Sequence, residues 1–141
     1  MAGADDESGV REEFLSEAQE IVETLSRDLL LLDESQKAGR SDPDLLNDIF
    51  RAVHTLKGLA GMFGLPSLQT LAHTLENLLD DLRLGRVDLT QETLDILFDG
   101  IERIQQILAS GDQASILHDI SDLEKSIDRV ADATQIADAK D

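Results

Sequence analysis

The stretch IFRAVHTLKGLAGMFGLPSLQTLAHTLENLLDDLRLG, Ile49 to Gly85, contains two apolar patterns of helical period, one on each side of a proline. In both, the apolar residues recur at intervals of three and four, which is typical of amphipathic helices. Pro66 suits the first turn of a helix, and Gly85 suits the residue that ends one. The stretch predicts helices over about Asp44–Met62 and Ser67–Leu84, and their short connection makes them antiparallel neighbours.

The same period continues on both sides of this helical pair. It predicts a first helix over about Val10–Asp33, a fourth over about Gln91–Ala109 with Thr90 as its N-cap, and a weaker fifth over about Ala114–Ala133. No run of alternating β-branched residues predicts a strand. We expect an all-α fold, an antiparallel four-helix bundle with an additional C-terminal helix.

The predicted helices divide the chain into four segments. They are a disordered N-terminus, the four-helix bundle, the fifth helix, and a linker or tail, over residues 1–9, 10–110, 111–133 and 134–141.

Composition excludes several classes of protein. The chain has 141 residues, no cysteine and a net charge of −18. This charge opposes binding to nucleic acid or to an anionic membrane, because both attract Lys and Arg. The absence of cysteine excludes disulfides and thiolate zinc sites. The sequence has neither a signal peptide nor an apolar run long enough to span a membrane, so we expect a cytoplasmic protein without membrane insertion.

The acidic residues are unevenly distributed. Asp and Glu make up 30 of the 141 residues, yet none lies between Ile49 and Leu75. Arg51, His54, Lys57 and His73 all lie inside this window. Such a segment would accept added negative charge at low electrostatic cost, although helix faces that point into a core also lack carboxylates.

Around the predicted second helix, His54 points away from the apolar face. At about 100° per residue, Lys57, Gly58 and Gly61 fall on the same outward side as His54. The glycines either leave room for another protein to reach the imidazole or allow a neighbouring helix to pack closely. Spacing alone leaves both interpretations open.

On the predicted third helix, His73, Glu76 and Asp80 form an outward stripe. This stripe can face His54 if the two helices are neighbours, and it can equally be a solvated face. His118 has no partner at useful spacing, so we expect it on the surface.

Three functions fit these residues. His54 can accept a phosphoryl group, because a neutral imidazole is a nucleophile that a carboxylate on its other nitrogen orients. His54, His73 and Glu76 have the chemistry of metal ligands, but no HExxH or ExxH motif supports a site, and we expect no metal. A helical adaptor with incidental histidines is the third possibility.

The segment HTLKGLAGMFG, His54 to Gly64, resembles the HxxKG core of histidine phosphotransfer (HPt) domains. More narrowly, Ile49 to Gly85 is similar to the N-terminal phosphotransfer (P1) domain of CheA-type chemotaxis histidine kinases. The AGxFG continuation and the downstream HxxEN motif, His73 to Asn77, make the match specific. The family fold that this implies is a four-helix bundle followed by a fifth helix.

The resemblance implies a role for each motif residue. His54 would be phosphorylated on Nε2, and Glu76 would accept a hydrogen bond from its Nδ1–H. Lys57 and His73 would flank the phosphoryl group in supporting roles. Gly58 and Gly61 would provide steric access.

The resemblance also implies partners within a two-component system. An ATP-binding kinase domain, in cis or in trans, would phosphorylate His54, and receiver domains of response regulators would accept the group. ATP and Mg²⁺ would act through these partners, so the domain would bind no cofactor and would be no enzyme alone. Nothing in the sequence demands a dimer, so we expect the isolated domain to be a monomer. The alternatives are a stand-alone or hybrid-kinase HPt relay protein and a helical adaptor that is never phosphorylated.

Overall fold

The structure, a computed structural model, describes residues 2–110 and 122–131. It contains α1 (Ala2–Lys37), α2 (Pro43–Met62), α3 (Pro66–Arg83) and α4 (Gln91–Ser110), and residues 122–131 form a fifth helix, α5. No strand occurs in the described part of the chain. The predicted all-α fold is therefore confirmed.

Helices α1 to α4 form a closed bundle in which each helix packs against two others. The backbone of α1 lies close to those of α2 and α4, and the backbone of α3 lies close to the same two helices, whereas the backbones of the diagonal pairs lie further apart. The core is made almost entirely of aliphatic side chains. The largest fully buried ones are Leu25, Leu29, Leu32, Ile49, Leu56, Leu68, Leu71, Leu75, Leu78, Leu79, Leu94 and Ile104.

The α2–α3 hairpin is antiparallel, and its register determines which side chains meet. Three pairs of positions face each other across the hairpin. Asn47 binds Arg83, His54 binds Glu76, and a side chain at Gly61 would lie against Gln69. These positions ascend α2 and descend α3 in steps of seven residues, which is close to two helical turns. One seam therefore carries polar residues of both helices along the surface of the hairpin.

Local sequence signals set the helix ends. Asp42 Oδ1 accepts a hydrogen bond from the Leu45 amide at 3.2 Å, and Thr90 Oγ1 accepts one from the Thr93 amide at 3.2 Å. Both contacts satisfy amides that a helix leaves unpaired at its start. After α3, Gly85 adopts a positive φ of 77°, which other residues rarely do. The predicted N-cap at Thr90 and the predicted stop at Gly85 are confirmed.

The structure differs from the sequence prediction at both ends of α1. The helix begins at Ala2 rather than near Val10, so residues 2–9 are helical where disorder was expected. The sequence of this segment has no apolar periodicity that would have predicted a helix. At the other end the helix continues past Asp33 to Lys37, and these two side chains form an ion pair at 2.9 Å.

The fifth helix packs on the bundle. Leu123 and Val130 are buried, and Thr74 Oγ1 on α3 donates to Glu124 Oε1 at 3.2 Å. The remaining parts of the predicted C-terminal segments, 111–121 and 132–141, lie outside the described residues, and so does His118. None of the described helices is both long enough and apolar enough to cross a membrane.

Candidate functional site

His54 projects from the outer side of α2, where its side chain is 62 % exposed. The buried neighbours Val53 and Leu56 turn the opposite side of the helix into the core. His54 Nδ1 lies 2.8 Å from Glu76 Oε2 on α3. Since a carboxylate only accepts hydrogen bonds, this contact requires the proton on Nδ1. In the described part of the structure Nε2 has no hydrogen-bond partner, so its lone pair faces solvent in the neutral ring.

Glu76 connects His54 with Lys57. Its side chain is only 14 % exposed, and Lys57 Nζ donates to Oε1 at 2.9 Å. Burial raises the pKa of the Glu76 carboxyl, but the hydrogen bonds from Lys57 and His54 and the positive charge of Lys57 outweigh burial and lower it. The carboxylate is therefore ionised at neutral pH and holds the imidazole from a fixed position.

The two glycines of α2 have different surroundings. Among the described residues, a Cβ atom on Gly58 would meet nothing within 4 Å, so no described helix packs closely there and none fills the space beside the imidazole. A Cβ atom on Gly61 would lie 3.0 Å from Nε2 of Gln69, the mobile end of a long side chain. Of the two interpretations left open by the sequence, the structure favours access over close helix packing at Gly58.

The glycine required for close packing is one that the sequence prediction missed. On α4, a Cβ atom at Gly100 would lie 2.6 Å from Cδ2 of the buried Leu75.

We expect Gly58→Ala to stabilise the fold by about 0.5–1 kcal/mol through its higher helix propensity. Gly100→Ala should destabilise it by about 1–3 kcal/mol because it overpacks the core. Urea unfolding of both variants tests this, and a loss of stability in Gly58→Ala would contradict the open space at that position.

The other members of the predicted α3 stripe lie apart from this contact network. His73 is exposed on α3 and makes no hydrogen bond or ion pair within residues 2–110 and 122–131. Asp80 pairs with Arg83 at 2.7 Å instead of with His54. The structure thus brings together His54, Lys57 and Glu76. His73 lies three residues before Glu76 on α3 and is not part of this hydrogen-bond network in the described residues.

Two residues that extend this site along the hairpin, Phe50 next to His54 and Arg83 next to Phe50, were not predicted from the sequence. The Phe50 ring lies nearly parallel to the imidazole, with centroids 6.3 Å apart and planes at 11°. The Arg83 guanidinium carbon lies 4.1 Å from the centroid of Phe50. The signal for both was spacing, since Phe50 comes four residues before His54 and Arg83 comes seven after Glu76.

Metal ligation has no geometric support in the part of the chain that the structure describes. Within it, no group of three or more His, Asp or Glu side chains lies close enough to hold an ion.

Comparison with known proteins identifies relatives of this chain in sequence and in structure. The chain is 38% identical over 119 residues to the chemotaxis protein CheA of Bacillus subtilis (strain 168), an alignment that covers 82% of this chain and 17% of that protein. It thus spans about a sixth of the length of this relative. Among solved structures it is similar to the CheA phosphotransferase domain from Thermotoga maritima, with 37% identity, a TM-score of 0.66, and coverage of 72% of this chain and 92% of that one.

A second similar structure is the solution structure of the histidine phosphotransfer domain of CheA. It is 34% identical, has a TM-score of 0.70, and the match covers 83% of this chain and 87% of that one. The phosphorylated P1 domain of CheA3 in complex with CheY6 from R. sphaeroides, at 23% identity and a TM-score of 0.68, shares the fold. The Hpt domain family model matches residues 9–133. The chain therefore belongs to the Hpt domain family, and within it to the phosphotransfer domains of the CheA type.

Proposed function

We propose that His54 is the phosphoacceptor of this domain, that the ATP-binding module of a CheA-type kinase phosphorylates it, and that it then donates the group to an aspartate of a response regulator. The observation that carries this proposal is the exposed imidazole whose Nδ1 binds the buried Glu76 carboxylate and whose Nε2 faces solvent. A phosphoacceptor needs this combination, because its reactive nitrogen must be both basic and accessible to two partners in turn.

In the first step, the Nε2 lone pair attacks the γ-phosphorus of ATP. The new N–P bond forms as the bond to the bridging oxygen breaks, and ADP leaves with that electron pair. The ring keeps its Nδ1 proton and becomes positively charged, and the Glu76 carboxylate stabilises this charge through the 2.8 Å contact. In the second step, a receiver carboxylate attacks phosphorus and Nε2 recovers its lone pair.

The neighbours of His54 support the transferred group. Lys57 is held by Glu76 at 2.9 Å and can offset part of the phosphoryl charge while it remains paired. His73 is exposed and unpaired in the described structure, so it is free to donate a hydrogen bond to a phosphoryl oxygen. Neither side chain performs the chemistry, because phosphoryl transfer depends mainly on positioning and on charge stabilisation.

The remaining requirements fall to partner domains. The kinase module would bring ATP and Mg²⁺, and the receiver would bring its own aspartate and Mg²⁺, so this domain binds no cofactor and is no enzyme by itself. Curated relatives of the CheA type are several times longer than this chain, as expected if this domain is one part of a larger kinase. We propose that this kinase is cytoplasmic. The CheA3–CheY6 complex is the precedent for a receiver partner.

The test is to incubate the domain with an active CheA-type kinase module, labelled ATP and Mg²⁺. Phosphohistidine is labile in acid and stable in alkali, so we expect label with that behaviour, and a receiver domain should then remove it. Absence of label, with a kinase module that phosphorylates another phosphotransfer domain, would favour the adaptor alternative.

Receiver docking should depend on the segment without acidic residues, since both this chain and, as the resemblance implies, the receiver pocket are acidic. Arg51 and Met62 are exposed there, and Met62 is 79 % exposed. We expect Arg51→Glu to slow transfer to the receiver about threefold to tenfold at low salt, because rim charges act mainly on association. Lys125→Glu on α5, one turn from Asp128, changes the net charge equally and should leave the rate unchanged. Equal slowing in both variants would contradict local docking.

A further inference from the structure

Within the residues that the structure describes, the imidazole of His54 is held by hydrogen bonding at Nδ1 alone, and most of its side chain is in solvent. The bond from Nδ1 to Glu76 determines the position of that nitrogen, but it lets the ring pivot about the contact. Nε2 lies on the far side of the ring, so a small rotation about the Nδ1 contact moves it out of line with an incoming phosphorus. Productive geometry therefore needs a second contact on the ring.

Phe50 is the aromatic neighbour placed to provide that contact. It lies one turn before His54 on α2, and its ring is near-parallel to the imidazole at a centroid distance of 6.3 Å. This separation lies within the range of offset aromatic pairs. Phe50 itself is partly buried against the core, so it is a firmer surface than a solvent-exposed side chain.

Arg83 in turn holds Phe50 in place from α3. Its guanidinium carbon lies 4.1 Å from the Phe50 ring centroid, close enough for a cation–π interaction. Nη1 donates to Asn47 Oδ1 at 3.0 Å, and Nη2 donates to Asp80 Oδ1 at 2.7 Å. Because partners from both helices bind its two nitrogens, the guanidinium is fixed over the ring.

We propose that Phe50, clamped by Arg83, is a positioning residue that fixes the imidazole of His54 for phosphoryl transfer. Phe50 does not touch the reacting atoms. It limits rotation of the imidazole, so that the Nδ1 bond to Glu76 is kept and Nε2 stays at one place. This inference rests on the proposed function of His54, and it names residues outside the HxxKG motif that set the geometry of the acceptor.

The test compares Phe50→Leu with Phe50→Tyr, which keeps a ring, and with Phe98→Leu on α4. Phe98 is also partly buried against the core, so its variant makes the same loss of an aromatic ring away from His54. Urea unfolding first identifies conditions in which every variant is folded. Initial rates with the kinase module are then measured, and nitrogen NMR of labelled histidine reports the tautomer of His54 without any kinase.

We expect Phe50→Leu to be phosphorylated about threefold to tenfold more slowly, the range expected from an aromatic pair. Phe50→Tyr should remain within about twofold of the wild type, and Phe98→Leu should match it. The wild type should show the Nδ1–H tautomer alone, whereas Phe50→Leu should show a mixture of both. Arg83→Met should move both measurements in the same direction by a smaller amount.

Equal rates and tautomers in Phe50→Leu and the wild type would overturn the proposal, and so would equal slowing in Phe98→Leu. If the wild type takes no label at all, the proposed function has failed, and the NMR comparison alone decides whether Phe50 positions the ring.

Discussion

Replacing His54 with glutamine should abolish phosphorylation of the domain, with the initial rate falling by more than about 10³-fold. Glutamine is close to histidine in size, and its amide can still donate to the Glu76 carboxylate that now lies 2.8 Å from Nδ1. An amide nitrogen has no available lone pair, however, because that pair is delocalised into the carbonyl. The variant therefore keeps the surface of α2 and loses only the nucleophile.

The measurement is the initial rate of labelling by a CheA-type kinase module, followed by acid and alkali treatment of the product. His118→Gln is the matched control, since it makes the same change at a histidine with no predicted role and should be labelled at the wild-type rate. Unfolding in urea should give equal stabilities for His54→Gln and the wild type within about 0.5 kcal/mol, as for other exposed positions. Label that persists in His54→Gln would show that another residue is the acceptor.

Much of the fold was predictable because local signals and the apolar period agree. Pro43 and Pro66 start helices, and Gly39 and Gly85, both with positive φ, follow helix ends. Between these signals the leucine spacing fixed which side of each helix is buried. The start of α1 was missed because residues 2–9 have no apolar face, and the close contact at Gly100 was missed because it depends on the distance between α3 and α4.

The site was predictable to a different degree at each residue. His54 and Lys57 lie on one helical face, so their spacing suffices. Glu76 is 22 residues from His54 in sequence. Helical spacing placed it only on a stripe of α3 that can face α2, and the pairing with His54 came from the family resemblance. Phe50 and Arg83 were not predicted, because a phenylalanine at a core boundary and an arginine in a last helical turn both have ordinary structural explanations.

Removing the Glu76 carboxylate should have the second largest effect. We expect Glu76→Ala to reduce the rate of phosphorylation of His54 about 10- to 150-fold, the equivalent of one hydrogen bond to a charged group. Without the carboxylate, the proton is no longer held on Nδ1, and the positive charge that develops on the ring has no partner. Glu76→Gln should lose less, because its carbonyl oxygen still accepts from Nδ1–H although the negative charge is gone.

The rates are measured with the same kinase module for both variants and for Glu102→Ala, an exposed carboxylate on α4 that serves as the control. We expect Glu102→Ala to be phosphorylated at the wild-type rate, Glu76→Gln more slowly, and Glu76→Ala most slowly. If Glu76→Gln and Glu76→Ala were slowed equally, charge rather than ring orientation would carry the whole effect. If neither were slowed, the contact between His54 and Glu76 would have no part in the reaction.

The lowered pKa of Glu76 adds a stability test whose sign follows from linkage. A carboxyl whose pKa is lower in the folded than in the unfolded state stabilises the fold above its unfolded pKa, and that contribution disappears as the pH falls through the folded pKa. The wild type should therefore be about 1 kcal/mol more stable than Glu76→Gln at pH 7, a modest value because His54 and Lys57 are partly exposed to solvent. The difference should shrink toward zero once the pH is below the folded pKa, where the protonated carboxyl resembles the amide. A gap that grew on acidification would mean that Glu76 is buried without effective partners, and the ionised carboxylate could not then hold the imidazole of His54.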